Sequence, residues 1–250
     1  MIFPIGDDNS DRTTTPVINY LLIAVNVLVF IFLQGATGEN GFTASFSTVP
    51  EEIRTGRDVS GPIKISMGDE QAVINLGKTP QPVYITLLTS MFMHGGWMHL
   101  LGNMLFLFIF GDNVENALGR IRYLIFYLVT GVIASLTQVF TTFAFGDNPF
   151  IPSLGASGAI SGVLAGYLVL FPRKQVRVIL FQVLTSVPSI VAIGLWFVLQ
   201  LVEAFGVLGA GPQSSGGVAF MAHVGGFISG LILVKFFAIG RGTPTAARPY

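Results

Sequence analysis

Six apolar stretches run along this chain, at about 17–33, 97–114, 123–145, 157–171, 178–205 and 218–239. A helix of roughly 20 apolar residues crosses the ~30 Å hydrocarbon core of a bilayer. In lipid every backbone N–H and C=O must be satisfied within the protein, which leaves helices and closed barrels as the spanning forms. Charged residues make up only 10% of the chain and hydrophobic ones 52%, whereas soluble domains run near about a quarter charged. The expected fold class is therefore all-α: a polytopic membrane protein, built as a six-transmembrane-helix bundle in a lipid bilayer. A formal net charge of +0 argues against a nucleic-acid partner. With no cysteine, neither a disulfide framework nor a thiolate metal site is available. The opening MIFPIGDDNSDR is acidic and polar, and does not read as a cleavable signal peptide.

The expected organisation is a cytoplasmic segment at 1–16, one membrane domain at 17–240 and a cytoplasmic tail at 241–250. A long first loop, about 34–82, mixes glycine, proline, both charges and apolar residues, the mark of an ordered or interface-lying insertion. Arg120 and Arg122 follow the second span, Arg173, Lys174 and Arg177 follow the fourth, and Arg241 and Arg248 lie in the tail. The loops around Asp147 and Gly211 carry no lysine or arginine. By the positive-inside rule both termini are cytoplasmic, in a cell (plasma) membrane.

Polar side chains inside a span are costly, and each is a functional candidate. His99 and Asn103 lie in the second span, His223 in the sixth, and Ser157 opens the fourth. With this topology all three spans enter from the non-cytoplasmic side, so the four groups share a slab roughly 5–10 Å below the surface. Gly158, Gly162 and Gly166 recur every four residues along the fourth span, and Gly226 and Gly230 repeat that spacing in the sixth. Such small-residue stripes let helix backbones approach closely in lipid, which would bring the serine of one helix to the histidine of another.

That combination reads as nucleophilic catalysis. A serine hydroxyl needs a base to take its proton, and histidine has the appropriate pKa. His99 and Asn103, four residues apart, put two donors on one helical face, where they suit the oxyanion of acyl transfer. No acid within a span offers a third member, since Glu203 lies near an outer end and Asp147 in a loop, so a Ser157–His223 dyad is expected. Taken singly, Ser157 between glycines reads equally as a packing residue, and His94 in MHGGWMH as a loop-fixing one. The G-x-S-x-G elbow does not fit, because Gly158 and Ala159 follow Ser157. No carboxylate joins the histidines within the spans, so neither a metal nor a cofactor is expected.

The runs HGGWMHLLGN (His94, His99, Asn103), VENALG (Val114 to Gly119), GASGAISG (Gly155 to Gly162) and AHVGGFISG (Ala222 to Gly230), in that order, resemble the rhomboid intramembrane serine protease family. TPVINYLLIAVNVLVF also looks like the first helix of that family. The resemblance implies a six-helix bundle around a short central fourth helix. Ser157 would be the nucleophile, His223 the base, and His99, Asn103 and the Ser157 N–H the oxyanion hole. His94 would buttress the first loop, and Gly226 and Gly230 would pack the sixth helix on the fourth. Substrates would be transmembrane proteins cut near the outer end of their helix, with the fifth helix and the loop to Gly217 as gate and lid. The alternative is a non-catalytic relative that binds transmembrane helices; a small transporter would call for ionisable residues near the midplane. Two departures stand out. A Trp-Arg pair common in the first loop is replaced by PVYITLLTS, and Ser161 stands where some members stack an aromatic on the histidine. On that reading a hydroxyl or a water would orient His223.

Overall fold

The computed structural model describes residues 2–67, 70–180, 182–210 and 219–241. The loop around Gly211, the rest of the expected lid and the tail from 242 on, with Arg248, lie outside the described residues. The chain is predominantly helical. A strand β1 (Ile2–Asp7) precedes α1 (Val17–Leu28), which continues as a π-helical turn, Val29–Leu33. The first loop contains α2 (Gly41–Phe46), α3 (Pro50–Thr55) and a hairpin of β2 (Gly61–Met67) with β3 (Glu70–Leu76). Then come a short α4 (Thr86–Thr89) and the helices α5 (Trp97–Leu118), α6 (Arg120–Phe145) and α7 (Ser157–Leu170). Strands β4 (Gln175–Leu180) and β5 (Val183–Pro188) lead into α8 (Ser189–Ala210), and α9 (Phe220–Phe237) follows. By length and composition α6 and α9 can each cross a membrane, and α5 makes an 80° bend with the turns before it. The apolar helices Val17–Leu33 and Ser157–Leu170 are shorter.

The centre of the bundle is α7, buried from Gly158 to Tyr167. Its glycine stripe faces α6: a Cβ on Gly158, Gly162 or Gly166 would meet Ala134, Thr130 or Phe126 at 2.7, 2.6 or 3.2 Å. Beside α6, α9 presses glycines onto the α7 backbone. A Cβ on Gly226 would lie 2.0 Å from the Gly158 carbonyl oxygen, and one on Gly230 2.4 Å from that of Gly162. In lipid there is no water to expel between helices, so this close van der Waals packing holds them together.

The VENALG run closes the end of the bundle opposite the candidate site. Glu115 accepts from the N–H groups of Ile18 (3.1 Å) and Asn19 (2.7 Å), filling two orphan donors of the first turn of α1. Asn19 in turn donates to the Leu107 carbonyl and accepts from the Tyr123 hydroxyl. Gly111 leaves room for that amide, since a Cβ there would fall 2.1 Å from Asn19 Oδ1. Gly119, at φ 81°, turns the chain from α5 into α6.

One boundary moves. The apolar run from 178 begins not as a span but as a β-hairpin, and the fifth helix starts only at Ser189. Continuous apolar runs rich in β-branched residues fit either form by periodicity, and Pro188 ends the strand rather than kinking a helix. Strand β1 adds antiparallel to β4, giving the order β1-β4-β5. Val176 and Val178 face inward, and Pro4 and Val178 close a small space with Phe106, Leu164, Ile193 and Trp196. Residues 2–16 are therefore docked. Arg12 pairs with Asp112 (2.6 Å), Lys174 pairs with Asp11, and Asp7 accepts from Tyr167 Oη and Asn113 Nδ2, both at 2.7 Å.

Burial of Asp7, 6% exposed, raises its pKa to about 7 against the opposing hydrogen bond from Tyr167. Between the unfolded carboxylate value and about 7 the folded chain holds a proton that the unfolded chain has lost. The resulting stabilisation is complete below the unfolded value and is lost as pH rises through the folded one. Asp7→Asn should therefore melt higher than wild type at pH 8 and alongside it at pH 4, a difference of at most about 4 kcal/mol. Thermal unfolding in detergent across that range measures it; equal pH slopes in the two proteins would contradict it.

Candidate active site

Helix α7 has 14 residues, about 21 Å at 1.5 Å per residue, short of the ~30 Å hydrocarbon thickness. Ser157 is its first residue, and the 147–156 segment leads into it from α6. The first loop fixes that segment. Thr48 and Ser153 exchange backbone hydrogen bonds at 2.9 and 2.8 Å, and the Gly155 N–H donates to the Ser90 carbonyl at 2.9 Å. The absent Trp-Arg pair is thus replaced by other anchors. The Gln34 amide both accepts from His94 N–H and donates to His94 C=O, each at 2.9 Å. Buried Glu52 accepts from Val59 N–H and Thr79 Oγ1.

Ser157, His99, Asn103 and His223 all line one open cavity of about 560 Å³, walled by Phe106, Ile160 and Trp196. Ser157 Oγ lies 2.8 Å from His223 Nε2. Gly158 follows Ser157, and Gly226 follows His223 by three, so the glycine contact between α7 and α9 lies immediately below this pair. His99 accepts from Gly95 N–H through Nδ1 (3.3 Å), which leaves the proton on Nε2. That nitrogen faces the backbone before the serine: a Cβ on Gly155 would sit 2.8 Å from His99 Nε2 and 3.6 Å from Ser157 Oγ. Gly155, at φ 123°, keeps the space open. Asn103 is buried, 8% exposed, and its Nδ2 has no hydrogen-bond partner among the described residues. A buried donor left unmade costs about 1–3 kcal/mol, which suits a group that waits for a ligand. His94 lies outside this arrangement, its ring buried edge-on against His99 at 5.2 Å.

Ser161 does not orient His223. Its hydroxyl donates to the Ser157 carbonyl at 2.7 Å, within its own helix. His223 Nδ1 instead meets Gln200 Oε1 of α8 at 2.5 Å, and its ring lies between Phe220 and Trp196. Gln200 escaped the sequence reading, although the signal was present: a polar amide inside an apolar segment. The Glu203 side chain lies outside the described residues.

In the comparison with known families, the Rhomboid domain profile covers residues 81–239, which include Ser157, His99, Asn103 and His223. The chain belongs to the rhomboid family. It is 30% identical over 234 residues to rhomboid protease GluP of Bacillus subtilis, covering 92% of this chain and 36% of that protein. Rhomboid protein 1, mitochondrial, of Saccharomyces cerevisiae is 30% identical over 148 residues, covering 59% of this chain and 40% of that one. Rhomboid-like protein 11, chloroplastic, of Arabidopsis thaliana is 31% identical over 159 residues, with 61% and 52% covered. This rhomboid thus spans about a third to a half of these relatives' length.

Proposed function

We propose that this rhomboid is an intramembrane serine endopeptidase that cuts transmembrane protein substrates. The observation that carries the reading is the Ser157 Oγ to His223 Nε2 contact of 2.8 Å, inside an open cavity of about 560 Å³. His223 takes the serine proton as Oγ attacks the scissile carbonyl, and the tetrahedral oxyanion accepts from His99 Nε2–H, Asn103 Nδ2 and the Ser157 N–H. The imidazolium then gives that proton to the leaving amine, the C–N bond breaks, and an acyl ester remains on Ser157. Water, deprotonated by the same imidazole, hydrolyses the ester and frees the serine. No cofactor enters these steps. A non-catalytic, helix-binding relative has no use for the aligned serine and histidine.

Access is by way of α8. Trp196 on α8 faces Phe106 on α5 at 6.2 Å beside the cavity, so outward displacement of α8 admits a substrate helix from the bilayer. The lysine and arginine distribution supports an orientation with both termini in the cytoplasm and the cavity on the outer side of a plasma membrane. The chain has no cysteine, so a single Asp147→Cys variant should react with an impermeant thiol reagent from outside the cell; reaction only from within would reverse this orientation. In proteoliposomes holding a model transmembrane substrate, wild type should cleave and Ser157→Ala should not. Cleavage by a folded Ser157→Ala protein would refute the proposal.

A further inference from the structure

A histidine serves as base toward Ser157 only when Nε2 presents a lone pair, which requires the proton to sit on Nδ1. Around His223 the walls are aromatic: Trp196 and Phe220 at 6.3 and 6.2 Å between ring centroids. A half-buried Nδ1–H that faces these rings is turned away from bulk water and needs an acceptor. Ser161, the neighbour one turn after the serine, turns its hydroxyl to its own helix. The acceptor that reaches Nδ1 is Gln200 Oε1.

We infer that Gln200 is the positioning residue of this site: its amide oxygen fixes the tautomer and plane of His223 and thereby ties the base to α8. The inference rests on His223 acting as the base. Ser157 and His223 sit on α7 and α9, which are locked by the glycine contacts, with a Gly226 Cβ position only 2.0 Å from the Gly158 oxygen. Gln200 rides on a third helix, α8, held near this level by Phe197 stacked on Phe227 at 3.9 Å. Trp196, which faces α5, is one turn from Gln200 on the same face of α8. When α8 moves outward, Gln200 leaves with it and the imidazole loses its acceptor. The base is armed when α8 is seated and disarmed when α8 swings away, so that an open gate alone does not expose an active nucleophile.

The test uses the whole protein in bicelles, labelled with ¹⁵N-histidine. The chain has three histidines, and the His223 signals are assigned by their loss in His223→Phe. Wild type should show His223 protonated at Nδ1 and bare at Nε2. Gln200→Leu, close in size but without an acceptor, should show mixed tautomers. The same variant should acylate with a fluorophosphonate roughly 10–10³-fold more slowly, less than the ~10⁴-fold loss that a wrong tautomer causes in soluble serine proteases. Its kcat on a substrate should fall with KM unchanged, and Gln200→Glu, which restores an acceptor, should recover most of the rate. A wild-type ring protonated at Nε2 would mean that the amide presents its NH2, and would overturn the inference. So would an unchanged tautomer and rate in Gln200→Leu, or a change confined to KM. A wild type with the Nδ1–H tautomer but an unreactive Ser157 would sink the protease reading while supporting the role of Gln200.

Discussion

His223→Ala is expected to reduce proteolysis to background, whereas Asn103→Ala should retain measurable activity. Without an imidazole 2.8 Å from Oγ, Ser157 stays a neutral alcohol, and nothing else in the cavity that the structure describes is placed to take its proton. Losing one member of such a unit costs on the order of 10⁶-fold in a soluble serine protease. In the proposed mechanism Asn103 is one oxyanion donor of three, and single donors are worth about 10²–10³-fold. His99 Nε2–H and the Ser157 N–H remain when Asn103 is removed. Initial rates on a transmembrane substrate, with folding checked by thermal melting, measure both effects. Equal losses in the two variants would mean that base and donor are assigned wrongly.

Gly226→Val should cost both stability and activity. Even the first added carbon would lie 2.0 Å from the Gly158 carbonyl oxygen and 3.0 Å from its carbon, and backbone cannot step aside as a flexible side chain does. Overpacking of this kind costs about 1–3 kcal/mol where the structure can relax. Relaxation here means that α9 moves off α7, and the same two helices hold His223 against Ser157. The loss of activity should therefore exceed what unfolding explains. Gly194→Ala on α8, where a Cβ meets nothing within 4 Å, is the matched control and should be tolerated. The measurements are melting midpoint and cleavage rate; a fully active, equally stable Gly226→Val protein would mean that the helices do not meet at this glycine.

Much of this fold is legible because lipid makes the rules strict. An apolar run with a few polar intruders marks both a helix and its functional face, which is how His99, Asn103, Ser157 and His223 stand out. Glycines at four-residue spacing announce close helix contacts for the same reason. The β1-β4-β5 sheet is less legible. Strand β4 alternates only from Gln175 to Val178 before it merges with the apolar run leading into the fifth span, and strand β1 is broken by Pro4 and Gly6, where its register shifts. Pairing partners as far apart as Ile2 and Leu180 are not announced by any local pattern. Gln200 passed unnoticed for another reason: attention to ionisable groups overlooks a neutral amide, whose role depends on a histidine 23 residues away on another helix.

The nucleophile is tested most directly by exposing the purified protein to a fluorophosphonate and identifying the modified peptide by mass spectrometry. The account predicts one adduct, on Ser157, formed by wild type and Asn103→Ala and absent from His223→Ala. An adduct on another serine, or equal labelling of Ser157 in His223→Ala, would contradict it.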